Sequence, residues 1–230
     1  MKKRGLHMVL KIKDIELYYE QYGMGRPLIL LHGNGEDHTI FQEAIAILAH
    51  HFTIYALDSR GHGNSSKVKT LHYEDMADDV YQFIDTLQLE KPILYGFSDG
   101  GIIALLVAFH HQEILSRIII SGVNVNPKGL KAKWRYLFRL CYWITRSAQL
   151  KLMLEEPHIS YQTLENITIP VDILAGKKDM IASTHLVEIR NHLSKGNLTI
   201  FPKETHGSYV IHSEKIAHFI LEKIKENHEE

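Results

Sequence analysis

The sequence predicts an α/β fold built on a mostly parallel sheet with helices on both faces. Three observations lead there. Short apolar runs alternate with longer segments of helical periodicity along nearly the whole chain, the order expected of parallel strands joined by crossover helices. Several of those runs are apolar throughout, as strands covered on both faces are. The polar residues that stand out, Asn34, Ser98, Asp179 and His206, each follow closely on a predicted strand, and in such sheets ligands sit beyond the carboxyl ends of the strands.

Taken in order, residues 8–13 and 15–22 alternate apolar and polar side chains and predict an opening antiparallel hairpin at a sheet edge. Residues 28–31 form a buried strand that ends at His32-Gly33-Asn34-Gly35, a glycine-rich turn into a helix over 38–50. A strand over 52–57 runs into the turn-rich loop Asp58-Ser-Arg-Gly-His-Gly-Asn-Ser65. The spacing of Tyr73, Met76, Val80, Phe83, Ile84 and Leu87 predicts a helix over 72–88. A strand over 92–95 and an all-apolar helix over 101–109 follow, then a strand over 117–121. Later come a strand at 171–175, a helix at 184–194, a strand at 198–201 and a final helix at 209–226 that fades into a charged tail. That makes an eight-stranded sheet. Between its sixth and seventh strands the composition changes: seven basic residues, no acidic ones and both tryptophans fall between 126 and 151. We therefore divide the chain into a core of residues 1–122 and 167–230 and an insertion of 123–166.

The stretch Gly96-Phe97-Ser98-Asp99-Gly100, between a strand and a helix, carries the clearest chemistry. A serine hydroxyl is a weak nucleophile and must project clear of the backbone to reach a carbonyl carbon. A tight strand-to-helix turn achieves this, and glycines two residues either side remove the Cβ atoms that would collide in it. The helix behind points free N–H groups at the reacting oxygen.

Composition narrows the classes of function. A formal net charge of −1 provides no global field for nucleic acid or membrane. The basic stretch is confined to the insertion, so no nucleic-acid partner is expected. The lone cysteine, Cys141, forms no internal disulfide and fits a reducing compartment. The basic start Met1-Lys-Lys-Arg4 is not followed by a long enough apolar stretch for a signal peptide, and no stretch is long enough to span a membrane. A cytoplasmic protein is the expectation. The 16 histidines are scattered without metal-ligand spacing; His50-His51 and His110-His111 fall at helix ends, where imidazoles suit the dipole.

With HGNG at 32–35, DSRGHGNS at 58–65, GFSDGG at 96–101, GKKD at 176–179 and THG at 205–207, the chain resembles the α/β-hydrolase fold family over nearly its whole length. That family runs nucleophile, acid, histidine in chain order. The resemblance implies Ser98 as nucleophile, Asp179 as acid and His206 as base. It implies the backbone N–H groups of Asn34 and Asp99 as the oxyanion donors. Asp172 is the rival acid, but it lies at the start of its strand, on the wrong end of the sheet. DSRGHGNS is expected to fix a loop beneath the site. Serine rather than aspartate at 98 excludes halide displacement. The Asp99 side chain has two readings: a carboxylate suited to a helix N-terminus, or a recognition group for a cationic substrate.

The insertion matches the place where the family carries a lid. Trp134, Leu137, Phe138, Cys141 and Tyr142 form an apolar helical stripe, expected to face the pocket with Lys131, Lys133, Arg135 and Arg139 mostly elsewhere. The sharper alternatives are attraction of anionic substrates or docking on an anionic membrane. The sequence as a whole implies a serine hydrolase acting on a small or medium carboxylic ester, with a small-molecule acyl substrate and no metal or organic cofactor. Its rivals are carbon–carbon, lactone, thioester or aminoacyl hydrolysis, cofactor-free perhydrolysis, and a ligand-binding or signalling module with a slow triad.

Overall fold

The computed structural model describes residues 5–226, so the basic start Met1–Arg4 and the end of the charged tail lie outside the described residues. The strands are β1 (Leu6–Ile12), β2 (Ile15–Tyr22), β3 (Arg26–Leu31), β4 (Phe52–Leu57), β5 (Ile93–Phe97), β6 (Arg117–Ser121), β7 (Val171–Lys178) and β8 (Gly196–Thr205). They form one sheet in the order β1-β2-β4-β3-β5-β6-β7-β8. The β1–β2 and β2–β4 pairs are antiparallel and every other pair is parallel. The opening hairpin is a sheet edge, as the alternation predicts.

The helices are α1 (Gln42–Leu48), α2 (Tyr73–Thr86), α3 (Asp99–His111), α4 (Ala132–Thr145), α5 (Ala148–Glu155), α6 (Tyr161–Glu165), α7 (Ser183–Asn191) and α8 (Lys215–Glu226). Side chains of the central strands point alternately to two cores. Ile29, Leu31, Leu94, Ile118, Ile120 and Ile173 pack with α2, α3 and α7. Leu28, Leu30, Ile93, Tyr95, Ile119 and Leu174 pack with α1 and α8. Both faces are covered, which is why these strands read as unbroken apolar runs.

Several boundaries differ from the sequence expectation, and three of them have a plain physical reason. The helix predicted from 38 opens as a 3-10 turn, His38–Phe41, because the Asp37 side chain caps it by accepting from Thr39 N at 2.9 Å. The last strand runs to Thr205 through Pro202. Proline is tolerated because β8 is an edge strand. The last helix starts at Lys215 rather than 209. Residues 207–213 turn first, and within that turn Tyr209 Oη donates to the Leu174 carbonyl at 3.2 Å.

The loop after β4 is built around Asp58, which is fully buried. Its Oδ1 accepts from His38 N (2.8 Å) and His38 Nδ1 (2.7 Å), and its Oδ2 from Asn64 N (2.8 Å). Burial alone would raise the Asp58 carboxyl, but the bonds from His38 and Asn64 outweigh it and hold the pKa below the usual range. Arg60 clamps Asp79 of α2 in a bidentate pair, with Nε and Nη2 each 2.6 Å from an oxygen. The motif 58–65 thus holds a loop. Asp37, His38 and Asp58 also bring potential metal ligands within 4.8 Å of one another. Both ring nitrogens of His38 are already engaged, by Asp58 at 2.7 Å and Glu20 at 3.2 Å. Asp58→Ala leaves both His38 donors unmatched in the interior and removes the acceptor of Asn64 N, and we expect it to cost about 3–5 kcal/mol in urea unfolding; a loss within about 1 kcal/mol would contradict this role for Asp58.

Candidate active site

Ser98 stands between β5 and α3 with φ 52° and ψ −114°, a conformation that costs a non-glycine residue energy. The turn is as tight as the glycine spacing requires. A Cβ on Gly96 would overlap the Gly100 carbonyl, and one on Gly100 would overlap the Leu31 carbonyl. The elbow is pinned on both sides: Ser98 N donates to Ser121 O at 2.7 Å and Gly100 N to His32 O at 3.1 Å. These are the ends of the two strands that flank β5.

Asp179 and His206 come from the ends of β7 and β8. His206 Nδ1 lies 2.7 Å from Asp179 Oδ1, and His206 Nε2 lies 3.1 Å from Ser98 Oγ. The three residues singled out in sequence are therefore joined in one hydrogen-bonded row. Asp179 is almost fully buried, and its Oδ1 also accepts from Ile181 N at 2.9 Å. Phe97 supports the imidazole, with ring centroids 5.0 Å apart. Gly122 lies against it: a Cβ there would come within 2.6 Å of His206 Cε1. Asp172 sits at the other end of β7, 3.4 Å from Arg117 and within reach of Asn197, so the rival acid is remote from Ser98.

The turn after β3 faces the elbow. His32 is buried, with Nδ1 2.7 Å from the Gly33 carbonyl and Nε2 accepting from Ser59 N at 3.0 Å. Burial pushes its pKa down to about 4, so the ring is neutral, with its proton on Nδ1. Among the described residues, the backbone N–H groups of Asn34 and Asp99 are matched with no protein acceptor. Their side chains are joined: Asn34 Nδ2 donates to Asp99 Oδ2 at 2.7 Å. Burial raises the Asp99 carboxyl, opposed by hydrogen bonds from Asn34 and Tyr73.

Glu36 was not singled out in sequence. Its Oε2 accepts from Gly33 N at 3.0 Å, a reach back across three residues like that of a capping box. That spacing, with a glutamate three residues after the turn glycine, was the available signal. Burial pushes its carboxyl up to about 7, against the opposing pull of the Gly33 N–H and His206. A carboxyl that holds its proton more tightly folded than unfolded stabilises the fold below its unfolded pKa. That contribution is lost as pH rises through the folded value. We expect Glu36→Gln to melt like the parent near the ordinary carboxyl value of about 4.5 and roughly 5 °C above it at an alkaline pH. The same shift at both pH values would contradict the assignment.

A narrow cleft opens beside Ser98, lined by Tyr73, Asp99, Leu130, Met153, Glu156 and Ile181 among others. The insertion is tied down around it. Asn34 Nδ2 also donates to Gln149 O at 3.1 Å, and Lys131 Nζ to Asp179 O at 2.5 Å. Glu156 lies 2.7 Å from His72 Nδ1 and accepts from Tyr73 N at 3.1 Å. The cleft does not meet the expected α4 stripe. Trp134, Phe138, Cys141 and Tyr142 are half-buried, with Phe138 packed against the main core, and Leu137 is exposed. The insertion's side chains at the cleft are Leu130, Met153 and Glu156.

A model of the alpha/beta hydrolase fold family matches residues 26–146, just over half of the chain. The chain belongs to the alpha/beta hydrolase fold family. Its hydrolase relatives include the AB hydrolase superfamily protein YisY of Bacillus subtilis, 28% identical over 94% of this chain and 98% of that one. The pimeloyl-[acyl-carrier protein] methyl ester esterase of Vibrio vulnificus is 29% identical over 52% of this chain and 45% of its own length. The solved esterase EaEST from Exiguobacterium antarcticum shares the hydrolase fold with a TM-score of 0.80, at 21% identity over 96% of this chain and 100% of that one. No helix among the described residues is long and apolar enough to cross a membrane.

Proposed function

We propose that the chain is a serine hydrolase that cleaves a small or medium carboxylic ester through an acyl-enzyme. The observation that carries this reading is the row Asp179–His206–Ser98, with Ser98 on a strained elbow. His206 Nε2 takes the Ser98 proton as Oγ attacks the carbonyl carbon, then gives it to the leaving alcohol. Asp179 keeps the other imidazole proton on Nδ1 and stabilises the imidazolium. The oxyanion is received by the N–H groups of Asn34 and Asp99, which are held together by their side-chain bond. Water then attacks the acyl-enzyme by the same relay, which regenerates Ser98.

In this reading the insertion, 123–166, is a lid. Its bonds to Asn34, Asp179 and Tyr73 fix a narrow entrance, which supports a small or medium acyl group. The esterase relative supports the ester class. Hydrolysis of p-nitrophenyl esters from acetate to dodecanoate tests it, with an aminoacyl ester alongside. The expected result is fastest turnover on the short and medium chains, absent from Ser98→Ala. Turnover confined to the aminoacyl ester, or unaffected by the substitution, would overturn it.

A further inference from the structure

The insertion's longest helix turns an apolar face to solvent. Tyr136, Leu137, Leu140, Trp143 and Ile144 recur every three or four residues along α4 and so share one side of it. Tyr136 is 73% exposed, and Trp143 and Ile144 are each 69% exposed. On the opposite side Trp134 and Phe138 are half-buried, with Phe138 against the main core. No residue of α4 is buried. Arg135, Arg139 and Arg146 border the exposed apolar face along one edge, at helical spacing. Two of them, with Lys128 and His158, also line a cavity of about 580 Å³ that contains no acidic side chain. Seven of the chain's 26 Lys and Arg residues, and none of its 27 Asp and Glu residues, fall between 126 and 151.

We propose that α4 is a docking helix for the surface of an anionic lipid bilayer. An exposed aromatic and aliphatic face sinks to the level of the acyl chains, while arginines along its edge stay among the headgroups. Trp143 and Tyr136 have the amphipathic rings that suit this depth. The cavity beside the arginine row has room and charge for a lipid phosphate. Charge complementarity selects the partner. Two copies of this chain meeting through α4 would bring two arginine rows together with no acidic residue of the segment to receive them, whereas an anionic bilayer satisfies both the apolar face and the row. The placement also has a consequence for access. The helix that follows, α5, contributes Met153 to the cleft beside Ser98, so docking through α4 brings that entrance close to the lipid.

Co-sedimentation with vesicles tests the proposal, using phosphatidylcholine alone and phosphatidylcholine mixed with phosphatidylglycerol. We expect the parent protein to bind the mixed vesicles at least about tenfold more tightly, with binding that weakens as salt is raised. Arg139→Gln is expected to weaken it about fivefold, the effect of one charge near such a surface. Leu140→Ser with Trp143→Ser is expected to abolish it at an unchanged melting midpoint. In a Trp134→Phe background, where Trp143 is the remaining tryptophan, emission should shift to the blue on the mixed vesicles. No binding to either vesicle, or undiminished binding by the double variant, would overturn the proposal. So would a dimer that the double variant converts to monomers without any vesicle binding, which would assign the face to a second copy.

Discussion

Ser98→Ala is expected to lower ester turnover by about three to six orders of magnitude. The size of the effect follows from what remains. Alanine keeps the elbow, with its glycines and its bonds to Ser121 and His32. The two N–H groups of Asn34 and Asp99 and the narrow cleft also stay in place, so the substrate still binds and its carbonyl is still polarised. What is lost is the covalent route, and a residual rate over water of roughly 10³ is what binding and polarisation alone supply. The loss should therefore appear in kcat, with KM little changed. The melting midpoint should also stay close to the parent's, because the positive φ at 98 is imposed by the backbone and persists in the variant. A decrease smaller than about tenfold would mean that the hydroxyl at 98 is not the attacking group.

Asp179→Asn is expected to lower kcat by about 10⁴ while leaving KM nearly unchanged. In the parent, Asp179 Oδ1 accepts from the His206 Nδ1 side at 2.7 Å, which leaves Nε2 free to accept the Ser98 proton across 3.1 Å. An asparagine amide turned toward Nδ1 donates instead and drives the imidazole proton to Nε2, where it blocks the abstraction. The charge that steadies the imidazolium is lost as well. Ile181 N donates to this same Oδ1 at 2.9 Å, so an amide turned this way also gives up that backbone bond, and the melting midpoint should fall by about 2–4 °C. Steady-state kinetics with a thermal melt distinguishes the cases. A large kcat loss in a protein that is still folded at the assay temperature supports the orienting role, and an intact kcat would assign the acid elsewhere.

Much of this arrangement was legible in the sequence because it depends on chain-local chemistry. Strands buried on both faces show as apolar runs, which is why the sequence displays β3, β5, β6 and β7 to within a few residues of their ends. The elbow was legible because close backbone packing admits only glycine at 96 and 100. Ser98, Asp179 and His206 could be picked out because each follows a strand, and a parallel sheet brings such ends to one edge. The parts missed depend on partners distant in sequence. Periodicity shows that α4 has an apolar stripe but not what covers it. The stripe expected over the cleft is instead half-buried away from it, and a second apolar row faces outward. The sequence places the start of α8 too early because Tyr209 and Val210 are core residues that lie in a turn and still fit a helical spacing. The role of Glu36 was hidden because its raised pKa comes from burial, which sequence does not display.

Intact-protein mass spectrometry after treatment with a fluorophosphonate puts the central claim to its most direct test, because it needs no knowledge of the substrate. One adduct per chain, on the peptide that carries Ser98, absent from Ser98→Ala and formed far more slowly by His206→Ala, is the result expected of a serine activated by that histidine. An adduct on another residue, or none on the folded parent protein, would contradict it.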